Sequence, residues 1–136
     1  MGRRIGEYLG FTILCFKMKK KIICFDLDNV ICRTKKNFYH RSVPIKKSID
    51  LVNELYDKGY YIKIFTARGM GKYKGNKNII KKKLGKLTLF QLKNWKIRYH
   101  ELILFKPSYD IFIDDKSIGF NKNWQSLLKK KLKNKK

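Results

Sequence analysis

Acidic residues are scarce in this chain, ten against 34 lysines and arginines in 136 residues. Four of the ten stand as two close pairs, Asp26 with Asp28 and Asp114 with Asp115. Each pair directly follows a short apolar run, ICF before the first and IFI before the second. Carboxylates gathered at a strand end repel one another and burden folding unless a cation or proton compensates. Mg²⁺ is a natural compensator, because it takes a few carboxylates and completes its shell with water and phosphate oxygens. Two further residues close apolar runs in the same way: Thr66 follows YIKIF, and Lys106 follows ELILF. Each feature alone has an ordinary reading. Asp-x-Asp also serves as a cap, a turn or a nucleotide-sugar metal site, threonine as a helix cap, and lysine as surface decoration. The weight lies in the order: Asp-x-Asp, then Thr, then Lys, then Asp-Asp, each at the end of a predicted strand.

The elements that must position these residues are legible from periodicity. Residues 22–25 form a continuous apolar run, as expected for a strand buried on both faces of a parallel sheet. Residues 45–58 place Ile45, Ile49, Val52 and Leu55–Tyr56 on one helical face, and Gly59 stops the helix. Residues 61–65, 101–105 and 111–113 read as further strands. Residues 69–78, rich in glycine and asparagine, read as a loop. Helical spacing returns over 84–97 and again over 123–132. Strands alternating with helices predict an α/β fold with a mainly parallel sheet, whose ligand sites lie at the carboxyl ends of the strands. Trp95 and Trp124 read as packing residues, and His40 and His100 as surface residues. The segment 33–43 is too short for a separate cap domain, so the site is expected to be open.

These motifs in this order resemble the haloacid dehalogenase-like (HAD) superfamily of phosphatases. Residues 22–30, IICFDLDNV, match its first motif; Thr66, Lys106 and Asp114–Asp115 match the second, third and fourth. Among its members the chain is most similar to small capsule-biosynthesis phosphatases, through DLDNVIC, FTARGMGKYKGN and KPSYDIFIDDKSI. Val30 and Gly69 stand where that group usually has Thr and Asn, and the segment between Pro107 and Asp114 is compact. The resemblance spans residues 21–118. It implies a three-layer Rossmann-like core with a minimal cap or none, and a Mg²⁺-dependent phosphomonoesterase acting on a sugar phosphate or polysaccharide precursor. Asp26 would be the nucleophile, giving an aspartyl-phosphate, and Asp28 the general acid–base. Mg²⁺ would be held by Asp26, the Asp28 backbone carbonyl, Asp114 and Asp115. Thr66 and Lys106 would hold the phosphate oxygens. Ala67, Tyr73 and Asn76 fall where the substrate would enter, and Arg68 either reaches the phosphate or forms a structural ion pair. Capless members often pair to cover their sites, which leaves room for a homo-oligomer.

Composition bounds the rest. An apolar fraction of 43% and an aromatic fraction of 14% describe a globular chain of one domain. No apolar run approaches the length of a membrane span. The net charge of +24 invites a nucleic-acid partner, and phosphorylated nucleic-acid ends are the second substrate class. The excess is mostly lysine, however, 28 Lys to 6 Arg, spread as in any protein of biased composition, and forked recognition of phosphate would favour arginine. A non-catalytic basic binding module is the third reading. Residues 1–17 read as an N-terminal extension, with Met18 as an alternative start; residues 18–126 form the phosphatase-like domain and 127–136 a basic tail. Three cysteines without metal-ligand spacing (Cys15, Cys24, Cys32) fit reduced thiols in a cytoplasm.

Overall fold

A computed structural model describes residues 20–134; the expected extension over 1–17 and the start at Met18 lie outside them. Strand β1 (Ile22–Asp26) leads through a short hairpin, β2 (Cys32–Arg33) and β3 (Val43–Pro44), into helix α1 (Lys46–Asp57). Strand β4 (Tyr61–Phe65) follows, then α2 (Lys77–Ile80), a π-helical turn (Lys81–Gly85) and α3 (Lys86–Asn94). Strand β5 (Glu101–Ile103) and α4 (Trp124–Lys133) complete the order. The expected α/β class holds: β1, β4 and β5 form a parallel sheet in that order, with Ile23 opposite Ile62, Asp26 opposite Phe65 and Phe65 opposite Ile103.

Among the described residues the three longest helices, α1, α3 and α4, pack into one buried cluster with the sheet. Successive right-handed crossovers that step in the same direction put their helices on the same side. Val52 and Leu55 of α1, Leu92 of α3 and Trp124 and Leu128 of α4 accordingly join one buried cluster with Phe25, Ile62 and Ile64. Trp124 packs edge-on against Phe25 with ring centroids 6.1 Å apart. The opposite face carries Ile22, Cys24, Tyr61, Lys63 and Phe65, all exposed or half-buried. One expectation is thereby corrected. Among the described residues β1 is buried on one face, not both. β4 shows the same one-sided alternation, with Ile62 and Ile64 fully buried between half-buried neighbours.

Helix α1 follows its spacing. Ile49, Val52 and Leu55 are buried, and Gly59 ends the helix in the left-handed region at φ 88°, where a side chain would be strained. The helix expected over 84–97 starts earlier. Asn76 caps α2 through its side-chain oxygen, which accepts from the Ile79 N–H at 3.2 Å, so the predicted loop gives way to helix at Lys77. The largest departure concerns residues 111–113. They form no strand, and Ile111 and Ile113 are 81% and 92% exposed. Only three apolar residues stand between Asp110 and the Asp114–Asp115 pair, and the hydration of those carboxylates opposes burial of so short a run.

Candidate functional site at the carboxyl ends of the strands

Asp26 is the last residue of β1, and its side chain lies at the sheet's carboxyl edge. Its Oδ1 accepts from the Leu27 N–H at 3.0 Å, and its Oδ2 stands 3.4 Å from Lys106 Nζ. Burial pushes the Asp26 carboxyl above the usual carboxylate range, more than the Lys106 charge and the Leu27 N–H pull it down. Burial depresses the Lys106 ammonium, yet its Tyr109 and Asp26 partners outweigh that, so its net shift is upward. The backbone fixes this pair. Leu27 N–H donates to Phe65 C=O, Thr66 N–H to Ile103 C=O and Lys106 N–H to Thr66 C=O, at 3.1, 3.0 and 3.0 Å. These three bonds tie the residues after β1, β4 and β5 into one ledge.

The chain turns sharply after Asp26. Leu27 C=O accepts from the N–H groups of Ile31 and Cys32, and Asn29 sits at φ 67°, a left-handed position that asparagine tolerates better than most residues. The turn brings the Asp28 carboxylate inward, under the ledge. There it meets Arg68, whose Nε lies 3.1 and 3.0 Å from Oδ1 and Oδ2 and whose Nη2 lies 2.9 Å from Oδ1. Thr34 Oγ1 donates to Oδ1 at 2.5 Å, and Thr66 Oγ1 approaches Oδ2 at 3.4 Å. Arg68 is 2% exposed. Of the two readings of Arg68, the ion pair is the one observed: its side chain is enclosed behind Asp28 and presents nothing to a substrate. Thr66, 1% exposed, likewise turns its hydroxyl to Asp28 and to the Arg68 N–H at 3.2 Å.

The remaining site candidates separate. Ala67 lies half-buried between Thr66 and Arg68, its carbonyl accepting from Met70 N–H at 3.0 Å. Tyr73 is half-buried, with Lys72 and Lys83 over its ring at 5.4 and 5.6 Å. Asn76 serves as the α2 cap. Asp114 and Asp115 are exposed, and Asp114 accepts from Lys116 N–H and, through its backbone carbonyl, from the Ser117 hydroxyl. Among the described residues no three His, Cys, Asp or Glu side chains gather as metal ligands. The donor set suits Mg²⁺ in kind, carboxylate and carbonyl oxygen, but the arrangement unites only Asp26 and Asp28 and leaves Asp114 and Asp115 apart.

The hairpin β2–β3 encloses residues 34–42, with one 3₁₀ turn at Tyr39–Arg41. A hollow of about 430 Å³ lies elsewhere, along α1, and is lined by Asp50, Asn53, Glu54, Asp57, Lys58 and Arg98. It is a surface cluster of ion pairs, including Lys58 with Glu54 and Arg98 with Asp57, and none of its residues stands at a strand's carboxyl end.

No protein-family model and no curated protein matches the chain. Its structure is similar to the crystal structure of an MCSG target from Vibrio cholerae. That likeness has 25% sequence identity and a TM-score of 0.68, over 82% of this chain and 98% of that one. It supports the α/β fold and leaves the chemistry to the residues themselves.

Sequence reasoning missed the residues that surround Arg68. Thr34 and Ser42 come from the hairpin, and Thr88 and Gln91 from α3. The last two stand three apart, a polar pair on an otherwise inward helical face, and that spacing was their only signal. Cys32 lies within the DLDNVIC stretch, where the sequence marks it only as a thiol. Burial pushes its thiol up to about 11, so it acts here as a packing residue and weak hydrogen-bonding group.

Proposed function

We propose that the protein is a phosphomonoester hydrolase of the HAD type, with Asp26 as nucleophile. The observation that carries this reading is the Asp26–Lys106 contact on a ledge formed by three parallel strand ends. A carboxylate beside an ammonium at a strand end is what in-line phosphoryl transfer asks of a protein: position and positive charge. The Asp26 oxygen attacks phosphorus, the bond to the leaving oxygen breaks, and Asp28, carrying a proton on Oδ2 at this step, passes that proton to the leaving oxygen. Asp28 then takes a proton from water as the water attacks the aspartyl-phosphate and releases Asp26. Lys106 pairs with the phosphate oxygens and offsets their repulsion from Asp26. Asp26 and the Asp28 carbonyl would hold Mg²⁺, which would supply further positive charge at the transferring phosphoryl group.

The substrate we favour is a sugar phosphate or phosphorylated polysaccharide precursor, from the likeness of DLDNVIC and FTARGMGKYKGN to the capsule-biosynthesis phosphatases. A second reading, a phosphorylated nucleic-acid end, is favoured by the exposed lysines Lys77, Lys81, Lys82, Lys83 and Lys86, which run from α2 through the π-helical turn to the start of α3. Among the described residues no helix is long and apolar enough to cross a membrane. Phosphate release from sugar phosphates, nucleotides and phosphorylated oligonucleotides, with and without Mg²⁺, tests the reading. Metal-dependent release by the wild type that is lost in Asp26→Asn supports it, and equal release by both proteins overturns it. Turnover that falls steeply with salt on oligonucleotides alone selects the second substrate class.

A further inference from the structure

Arg68 uses every donor of its guanidinium inside the protein. Nε and Nη2 hold Asp28 as described, Nη1 donates to Thr88 Oγ1 at 3.2 Å and to Gln91 Oε1 at 2.6 Å, and Nη2 also reaches Ser42 Oγ at 3.2 Å. The plane lies over the Tyr39 ring, 5.2 Å from its centroid. Gln91 is fixed in turn, since its Nε2 donates to Tyr39 C=O at 2.7 Å. A buried arginine saturated in this way has one rotamer open to it.

Asp28 inherits that rigidity, and its two oxygens become unequal. Oδ1 takes both Arg68 nitrogens and the Thr34 hydroxyl and lies within 3.6 Å of Cys32 Sγ. Oδ2 has only Arg68 Nε and the longer Thr66 contact, on the side of the ledge. The carboxylate cannot swing away without leaving a buried cation unpaired.

We propose that Arg68 is the positioning residue of Asp28, locking Oδ1 into the fold so that Oδ2 is the oxygen that exchanges protons with the leaving group and with water. The inference rests on the phosphomonoesterase reading above and goes beyond it in assigning Arg68, which touches no substrate, an effect on one chemical step. That step matters most for esters whose leaving oxygen is a poor one. An alkyl phosphate needs the proton to depart, and 4-nitrophenyl phosphate, with its acidic phenol, hardly does.

The test compares kcat on an alkyl phosphate and on 4-nitrophenyl phosphate for the wild type, Arg68→Lys and Asp28→Asn. Arg68→Lys keeps a cation but loses the fork. It should lower kcat on the alkyl ester about 100-fold, within the range that positioned acid–base groups contribute, and on the nitrophenyl ester less than about 10-fold. Asp28→Asn should show the same bias, more strongly. Gln91→Leu, which removes one anchor of Arg68 and is milder for folding, should show a weaker bias in the same direction. Equal losses on both esters in the Arg68 and Gln91 variants, or no loss in either, overturn the proposal, because a purely structural residue affects both substrates alike. No turnover of either ester by the wild type, or turnover unchanged in Asp26→Asn, overturns the phosphatase reading and this inference with it.

Discussion

The Asp28–Arg68 pair should also dominate the stability of this end of the fold, and a double-mutant cycle can measure by how much. In Asp28→Ala the guanidinium keeps Thr88, Gln91 and Ser42 but loses its counter-charge. The Arg68 side chain has no exposure through which water could replace it. Breaking a buried ion pair from one side costs about 3–5 kcal/mol, a large share of the roughly 5–15 kcal/mol that holds a domain together. In Arg68→Met the stranded group is a carboxylate whose side chain is 21% exposed and still receives the Thr34 and Thr66 hydroxyls. Its loss should be smaller, about 1–3 kcal/mol. In the double variant no charge is stranded, so its cost should fall short of the sum of the two singles by about 2 kcal/mol or more. Urea unfolding followed by tryptophan fluorescence suits the measurement, because Trp124 packs on Phe25 and reports the core. With a slope of about 1.5 kcal/mol per molar urea, Asp28→Ala should lower the midpoint by about 2–3 M. A loss under about 1 kcal/mol in Asp28→Ala, or additivity within about 0.5 kcal/mol, would refute the account of an enclosed and mutually dependent pair.

Two further outcomes follow from the titrating groups. Burial raises the Asp26 carboxyl in the folded chain, so the folded state binds that proton more tightly than the unfolded one. Its contribution therefore favours folding below the unfolded carboxylate range and is lost as pH rises through the folded value. Asp26→Asn should accordingly raise the melting temperature at pH 7 and reduce its fall between mildly acidic and neutral pH; a lower melting temperature at pH 7 than wild type would contradict the burial argument. Cys32, buried and raised to about 11, should resist maleimide at neutral pH in the folded protein, whereas Cys24, exposed on the open sheet face, should react before it. Peptide mapping after timed labelling distinguishes them, and equal rates would count against the enclosure of Cys32.

The parts of the fold that were legible in the sequence are those governed by local periodicity. Ile49, Val52 and Leu55 announce one helical face, Gly59 announces its end, and YIKIF announces a strand whose Ile62 and Ile64 point to the core. Residues 111–113 carried the same local signal as β1, yet a strand also requires a neighbour, and no period in a sequence specifies one. The run ICF likewise predicted burial on two faces, while the described helices α1, α3 and α4 all join one buried cluster with Phe25. The start of α2 was hidden because its residues are KNII, where the informative feature is the cap at Asn76 and not an apolar stripe.

The site divides in the same way. Asp26 and Lys106 were readable because each closes an apolar run, and their contact follows from where parallel strands end. Arg68 was ambiguous because its role is set by partners 20 to 40 residues away, Thr88, Gln91 and Asp28. Its side chain nevertheless explains why the two cations at this site differ in kind. Most of the 34 basic residues contribute charge at the surface, as in the ion pairs of Lys46, Lys58 and Lys129, whose side chains are 87%, 61% and 54% exposed. Among the described residues Arg68 and Lys106 are the most enclosed of the paired cations, their side chains 0% and 12% exposed. The position that must saturate several acceptors at fixed angles holds an arginine, whose planar fork supplies five donors. The position beside Asp26 holds a lysine, a compact charge on a flexible stem that can shift between a carboxylate and an arriving anion. Exchanging the two would give the fold a point charge where it needs a fork, and the ledge a rigid fork where it needs reach. The net charge of the chain is therefore a poor guide to its chemistry, and the geometry around Arg68 and Lys106 is a better one.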